Sequence, residues 1–195
     1  MTLSKRVRAY IGLGANVGDA RANLEHAVAA LSELPSVRLR AVSPLYRTKP
    51  VGVENQPDFL NAVVALDVPA GPDPETGALS LLAALKGIEH ALGRKSRERW
   101  GPREIDLDLL VFGRHRIDLP QLQVPHVRAK ERLFVLQPLA DLVPRLRAPG
   151  WSESVARARD RRRAIDGAES VLPVASEAQL SSRQLLQSVG DRVRG

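Results

Sequence analysis

The 195-residue chain contains no cysteine. Disulfides and thiolate metal sites are therefore excluded, and the absence suits a reducing compartment. Aromatic residues make up only 4%. A groove that stacks the bases of a nucleic acid needs more rings than that, and each ring present is correspondingly informative. No apolar run is long enough to span a bilayer. The basic start, Met1 to Arg8, leads into glycines and Asn16 where a secretion signal would carry an apolar core. A cytoplasmic protein with no membrane partner is expected. What remains is an ordinary globular composition, 44% hydrophobic and 26% charged. The length suits one domain with a full core. The net charge of +7 suits a polyanionic partner, either a nucleic acid or a nucleotide.

Residues 99–110, Arg-Trp-Gly-Pro-Arg-Glu-Ile-Asp-Leu-Asp-Leu-Leu, concentrate the chemistry. The second half alternates as a strand does, with Ile105, Leu107 and Leu109 on one face and Asp106 and Asp108 on the other. Carboxylates two residues apart on a strand lie roughly 6.5 Å from each other. At an effective dielectric of 20 they repel by about 2.5 kcal/mol. Hard cations between them turn repulsion into attraction, and Mg2+ is apt because it takes oxygen ligands and arrives with phosphates. Residues 94–103 carry five cations (Arg94, Lys95, Arg97, Arg99, Arg103) against one acid, Glu98. That clustering favours a compact anion over a long backbone. Trp100 can stack on a flat ring, and Gly101-Pro102 forces a bend.

The rest of the chain reads in order. A strand over Val7 to Leu13 meets a turn, and Asp19 caps a helix with Leu24, Ala27, Val28 and Leu31 inside, ending before Pro35. The glycines at 12, 14 and 18 have the wrong spacing for a dinucleotide turn. Val37 to Tyr46 alternates as a strand, and the loop of residues 47–57 leads to a second over Leu60 to Val68. Phe59 and Asn61 share a face there, an aromatic and a carboxamide suited to a flat heterocycle. A helix over Glu75 to Leu92 closes at Gly93, with Glu89 in its last turn, where the dipole disfavours an anion. Beyond the Asp-x-Asp strand, residues 117–124 run extended, and Leu133 to Leu142 is a short helix. His126, between Pro125 and the cationic run to Arg132, is a candidate phosphate contact. The order β-α-β-β-α-β predicts an α+β fold with a ferredoxin-like core. The compact domain is expected over residues 1–150. Residues 151–195 are expected to be a charged extension, loosely attached or partly helical, with Leu180, Leu185, Leu186 and Val189 on one late helix.

Several of these segments together resemble the 6-hydroxymethyl-7,8-dihydropterin pyrophosphokinases of folate biosynthesis. They are residues 10–16 (Tyr-Ile-Gly-Leu-Gly-Ala-Asn), 43–48 (Ser-Pro-Leu-Tyr-Arg-Thr), 56–61 (Gln-Pro-Asp-Phe-Leu-Asn), the run from Arg99 to Asp108, and Val124-Pro-His126 with Arg132 and Phe134. The resemblance implies transfer of a pyrophosphoryl group from ATP to the pterin hydroxymethyl, releasing AMP. It implies two Mg2+ ions on Asp106 and Asp108, with Arg94 and Arg103 neutralising the transferred group. Glu89, Arg103, Leu109, His126 and Arg132 would lie at the nucleotide, and Thr48, Val51, Phe59, Asn61, Trp100 and Phe134 at the pterin. Either Lys95 or Arg97 would serve as a mobile-loop cation. Phe59 stands where the family commonly has tyrosine, so the ring is kept without its hydroxyl. A monomer acting on small molecules is expected; the alternative is a basic nucleic-acid-binding module whose binding would fall steeply with salt.

Overall fold

The computed structural model describes residues 5–50, 56–94 and 101–175. Strand β1, Arg6–Ala15, is central to a six-stranded antiparallel sheet. It pairs on one side with β5, Asp106–Phe112, and on the other with β4, Phe59–Pro69. The outer edge of β4 carries two short strands in succession, β2 (Arg38–Val42) and β3 (Tyr46–Thr48). Order β5-β1-β4-β2/β3 is the arrangement of two interleaved βαβ units, which is the ferredoxin-like core expected. The strand anticipated over residues 37–46 is broken because Pro44 has no amide to donate. Ser43 bridges the gap: its N–H donates to the Val63 carbonyl and its Oγ accepts from the Val63 N–H, both at 2.9 Å.

Because β1 is central, both of its faces are covered. Ala9, Ile11, Leu13 and Ala15 join Leu66, Leu107 and Leu109 under helices α1 (Ala20–Glu33) and α2 (Pro74–Ala91). Asp19 caps α1 through the Ala22 N–H at 3.0 Å, and Asp73 caps α2 through the Thr76 N–H at 2.8 Å. On the opposite face, Tyr10, Val63, Ala65 and Leu110 pack under α3, Leu133–Leu142. A small hairpin, β6 (Ile117–Leu119) with β7 (Leu122–Val124), follows β5.

The chain beyond residue 150 is partly helical as far as it is described, and that part packs on the rest. Helix α4, Val155–Asp166, buries Val155 and Ala158 completely against α3, with Trp151 beside them. Strand β8, Val171–Pro173, then extends the sheet beyond β3, setting Val171 opposite Thr48. A boundary at residue 150 therefore cuts through one packed layer. The composition misled because Arg157, Arg161 and Arg163 of α4 are exposed and its buried face is only two small residues, too few for a visible apolar stripe. The late helix over Leu180 to Val189 falls outside the described residues.

Tyr46 ties β3 to α3, its hydroxyl donating to Asp141 at 2.6 Å. Burial, reinforced by Asp141, pushes this phenol up from 10.0 to about 12. A raised acid keeps its proton longer in the folded state, so its contribution is constant below pH about 10 and stability falls between about 10 and 12. Urea unfolding midpoints are expected to drop across that window, and Tyr46→Phe is expected to flatten the drop.

Candidate active site

Strand β5 begins at the two aspartates. Asp106 stands beside Gly14 and Asp108 beside Gly12 on β1, and the absent side chains there leave the floor low. Asp106, Asp108 and Leu110 face a cavity of about 780 Å³ that also touches Thr48, Phe59, Asn61, Arg103, Arg132 and Phe134. The alternation read from the sequence is thus realised, with Leu107 and Leu109 on the reverse face. Leu109 is consequently core: its side chain packs toward α1 and α2, outside the cavity lining.

Asp106 is held between two guanidinium groups. Arg94 Nη1 lies 2.8 Å from Oδ1, and Arg103 Nη1 donates to Oδ2. Arg94 also pairs with Glu89, which is 97% shielded from solvent on α2. Glu89 Oε1 accepts the Leu107 N–H at 2.7 Å, satisfying an amide on the free edge of β5 between the two aspartates. Lys86 Nζ donates to the same carboxylate at 3.0 Å. Glu89 therefore sits behind the strand, outside the cavity lining, and bears on the site through Leu107 and Arg94. The unfavourable helix dipole at its position is offset by these three donors.

On the far wall, Arg132 Nη1 is 3.8 Å from Asp108 and its guanidinium lies 5.6 Å from the Phe134 ring centre. His126 is mostly buried, its Nδ1 accepting from the Arg128 N–H at 3.2 Å. Burial lowers its pKa, while Asp108 pulls the other way. It lines a separate, smaller pocket of about 230 Å³ with Gln123, Lys130 and Trp151, and is not among the residues lining the larger cavity.

The other end of the cavity is neutral. Asn61 Nδ2 donates to Thr48 Oγ1 at 2.8 Å, and both side chains are buried. Phe59 sits opposite Thr48 in the ladder, and Phe134 projects from the start of α3. Of the residues expected at the pterin, Thr48, Phe59, Asn61 and Phe134 are brought together. Val51, Trp100, Lys95 and Arg97 lie outside the described residues.

One organising residue had gone unassigned. Asn16 is buried and joins three segments: its Nδ2 donates to Gln56 Oε1 and the Pro57 carbonyl, each at 3.0 Å, and its Oδ1 accepts the Arg103 N–H at 2.8 Å. Its place at the end of the Gly-Leu-Gly-Ala-Asn run was the available signal. Among the described residues no group of three or more acidic or histidine side chains is arranged so that it could hold a metal ion. An oxygen-only pair is nonetheless the donor set that suits Mg2+, which keeps waters and takes phosphate oxygens for the remainder.

A family model described as 7,8-dihydro-6-hydroxymethylpterin-pyrophosphokinase matches residues 10–144. The 2-amino-4-hydroxy-6-hydroxymethyldihydropteridine pyrophosphokinase of Pseudomonas aeruginosa is 49% identical over 142 residues, covering 73% of this chain and 84% of that protein. The enzyme of the same name from Bacillus subtilis is 46% identical over 134 residues, covering 69% and 77%. Among solved structures, wild-type Plasmodium falciparum HPPK-DHPS with pteroate superposes with a TM-score of 0.66 at 17% identity. That match covers 85% of this chain and 44% of the other, so this chain spans less than half of it and the likeness is one of fold. This chain belongs to the 7,8-dihydro-6-hydroxymethylpterin-pyrophosphokinase family.

Proposed function

We propose that the protein transfers the β,γ-pyrophosphoryl group of ATP to the hydroxymethyl oxygen of 6-hydroxymethyl-7,8-dihydropterin. The bond between that oxygen and Pβ forms, the bond from Pβ to the oxygen bridging to Pα breaks, AMP leaves, and the hydroxyl proton passes to solvent. The observation that carries the reading is one cavity with two chemically different ends. Arginines and the Asp106–Asp108 pair lie at the β5 end, and two phenylalanines with a buried carboxamide lie at the β4–β3 end.

Asp106 and Asp108 would hold two Mg2+ ions, whose chemistry is to neutralise and align the phosphate oxygens. Arg94 and Arg103, once the aspartates have other partners, are placed to turn to the transferred group, with Arg132 and His126 on the remaining phosphates. Phe59 and Phe134 would sandwich the pterin while Asn61 and Thr48 hydrogen-bond to it. The reading needs no strong base. Positioning and electrostatic stabilisation carry phosphoryl-type transfer. Two small molecules suffice as partners, acting on a monomer in the cytoplasm.

The test is incubation with ATP, Mg2+ and the hydroxymethyl dihydropterin. AMP and the pterin diphosphate are expected in equal amounts, and neither without the pterin. Release of ADP, or of AMP independently of the pterin, would overturn the reading. Phe59→Leu is expected to raise the pterin KM about tenfold through lost stacking, with the ATP KM nearly unchanged, as read by initial rates with each substrate varied in turn.

A further inference from the structure

The cavity does not end at Thr48. Arg162 and Asp166 from α4, and Glu169, Ser170 and Val171 from the turn into β8, also line it. All five lie beyond residue 144, where the family match stops. The two ends of the cavity are opposite edges of the sheet. In the order β5-β1-β4-β3-β8, four strand spacings of about 4.8 Å separate the Asp106–Asp108 pair from the C-terminal segment.

The two ends also differ in charge. Arg103, Arg128 and Arg132 line the cavity near the aspartates. At the distal end Arg162 is paired with Asp166: Nε donates to Oδ2 at 2.7 Å, and Nη2 lies 2.5 Å from Oδ1. Glu169 adds a negative charge there and Lys49, next to Thr48, a positive one. Guanidinium groups beside the aspartate pair can hold phosphates at one end, and the paired, balanced charges of the other suit a neutral heterocycle bearing donors. A carboxylate has about four lone-pair sites, so Asp166 can engage Arg162 and still accept from a ligand.

The inference rests on the pyrophosphokinase reading. The pterin's hydroxymethyl must approach the phosphates at β5, so its far end, the amino-pyrimidine with its N–H donors, points along β4 and past β3 toward β8. Val171 is paired with Thr48 in the ladder, which puts the C-terminal segment next in line. We propose that Asp166 is a specificity-determining residue for the pterin, accepting a hydrogen bond from its amino-pyrimidine end, and that Arg162 is the positioning residue that aims it.

The test measures dissociation constants by calorimetry on the full chain with Mg2+ and a nonhydrolysable ATP mimic. The ligands are hydroxymethyl pterin and its analogue lacking the 2-amino group. Asp166→Asn is expected to weaken the pterin about tenfold, to leave the ATP mimic within about twofold, and to shrink the preference for the pterin over the analogue. At saturating pterin, kcat is expected to hold. If the variant loses α4, Arg162→Gln is read in the same way. An unchanged pterin constant, or equal weakening of pterin and analogue, would overturn the proposal. Wild-type protein that forms no AMP from ATP and pterin would instead overturn the reading beneath it.

Discussion

Asp106→Ala or Asp108→Ala is expected to lower Mg2+-dependent AMP formation on the order of a thousandfold, the scale of losing a principal stabiliser of transition-state charge. The fold is expected to survive. Both aspartates are partly exposed at the mouth of β5, so their ion pairs add little stability, under about 1 kcal/mol each. Arg94 keeps its second partner, Glu89, when Asp106 is gone. Removing one carboxylate also relieves the repulsion between the two. Thermal denaturation should therefore leave both variants near wild type while a coupled AMP assay finds almost no product. Ordinary turnover in either variant would contradict the role given to the pair.

Glu89→Leu is expected to have the largest effect on stability. This carboxylate is buried and answers three donors: the Leu107 N–H, Arg94 and Lys86. Leucine leaves an amide on the edge of β5 without its acceptor and strips Arg94 of its deepest partner. The unsatisfied buried amide and the weakened ion pairs together cost about 3–5 kcal/mol, a large share of the ordinary stability of a domain. For a chain of this length that corresponds to a fall in Tm of about 10 °C. Glu89→Gln keeps an oxygen for the Leu107 N–H and loses only the charge, so it should fall by less than half as much. Calorimetric melting of the two variants separates the backbone contribution from the ionic one, and equal losses would assign the whole effect to Arg94 and Lys86.

Much of this molecule was legible from alternation and punctuation. Asp19 and Pro35 bracket α1, and α3 occupies Leu133 to Leu142 as read, because caps, prolines and apolar spacing act locally. The Asp106–Asp108 face was legible for the same reason. What escaped depends on contacts distant in sequence. Glu89 reads as a surface acid until β5 is laid against α2. Asn16 reads as a turn residue until residues 56–57 and 103 close on its carboxamide. The tail was hardest to read, since the inward face of α4 is two small residues and β8 gains its place from pairing with β3.

The central claim is that Asp106 and Asp108 accept divalent cations together with the nucleotide, displacing the arginines that hold Asp106 in their absence. Electron paramagnetic resonance of Mn2+ in place of Mg2+, with and without a nonhydrolysable ATP mimic, tests it most directly. Tight Mn2+ binding is predicted only when the mimic is present, and it should vanish in the Asp106→Asn, Asp108→Asn double variant. Tight binding that persists in the double variant would contradict the account.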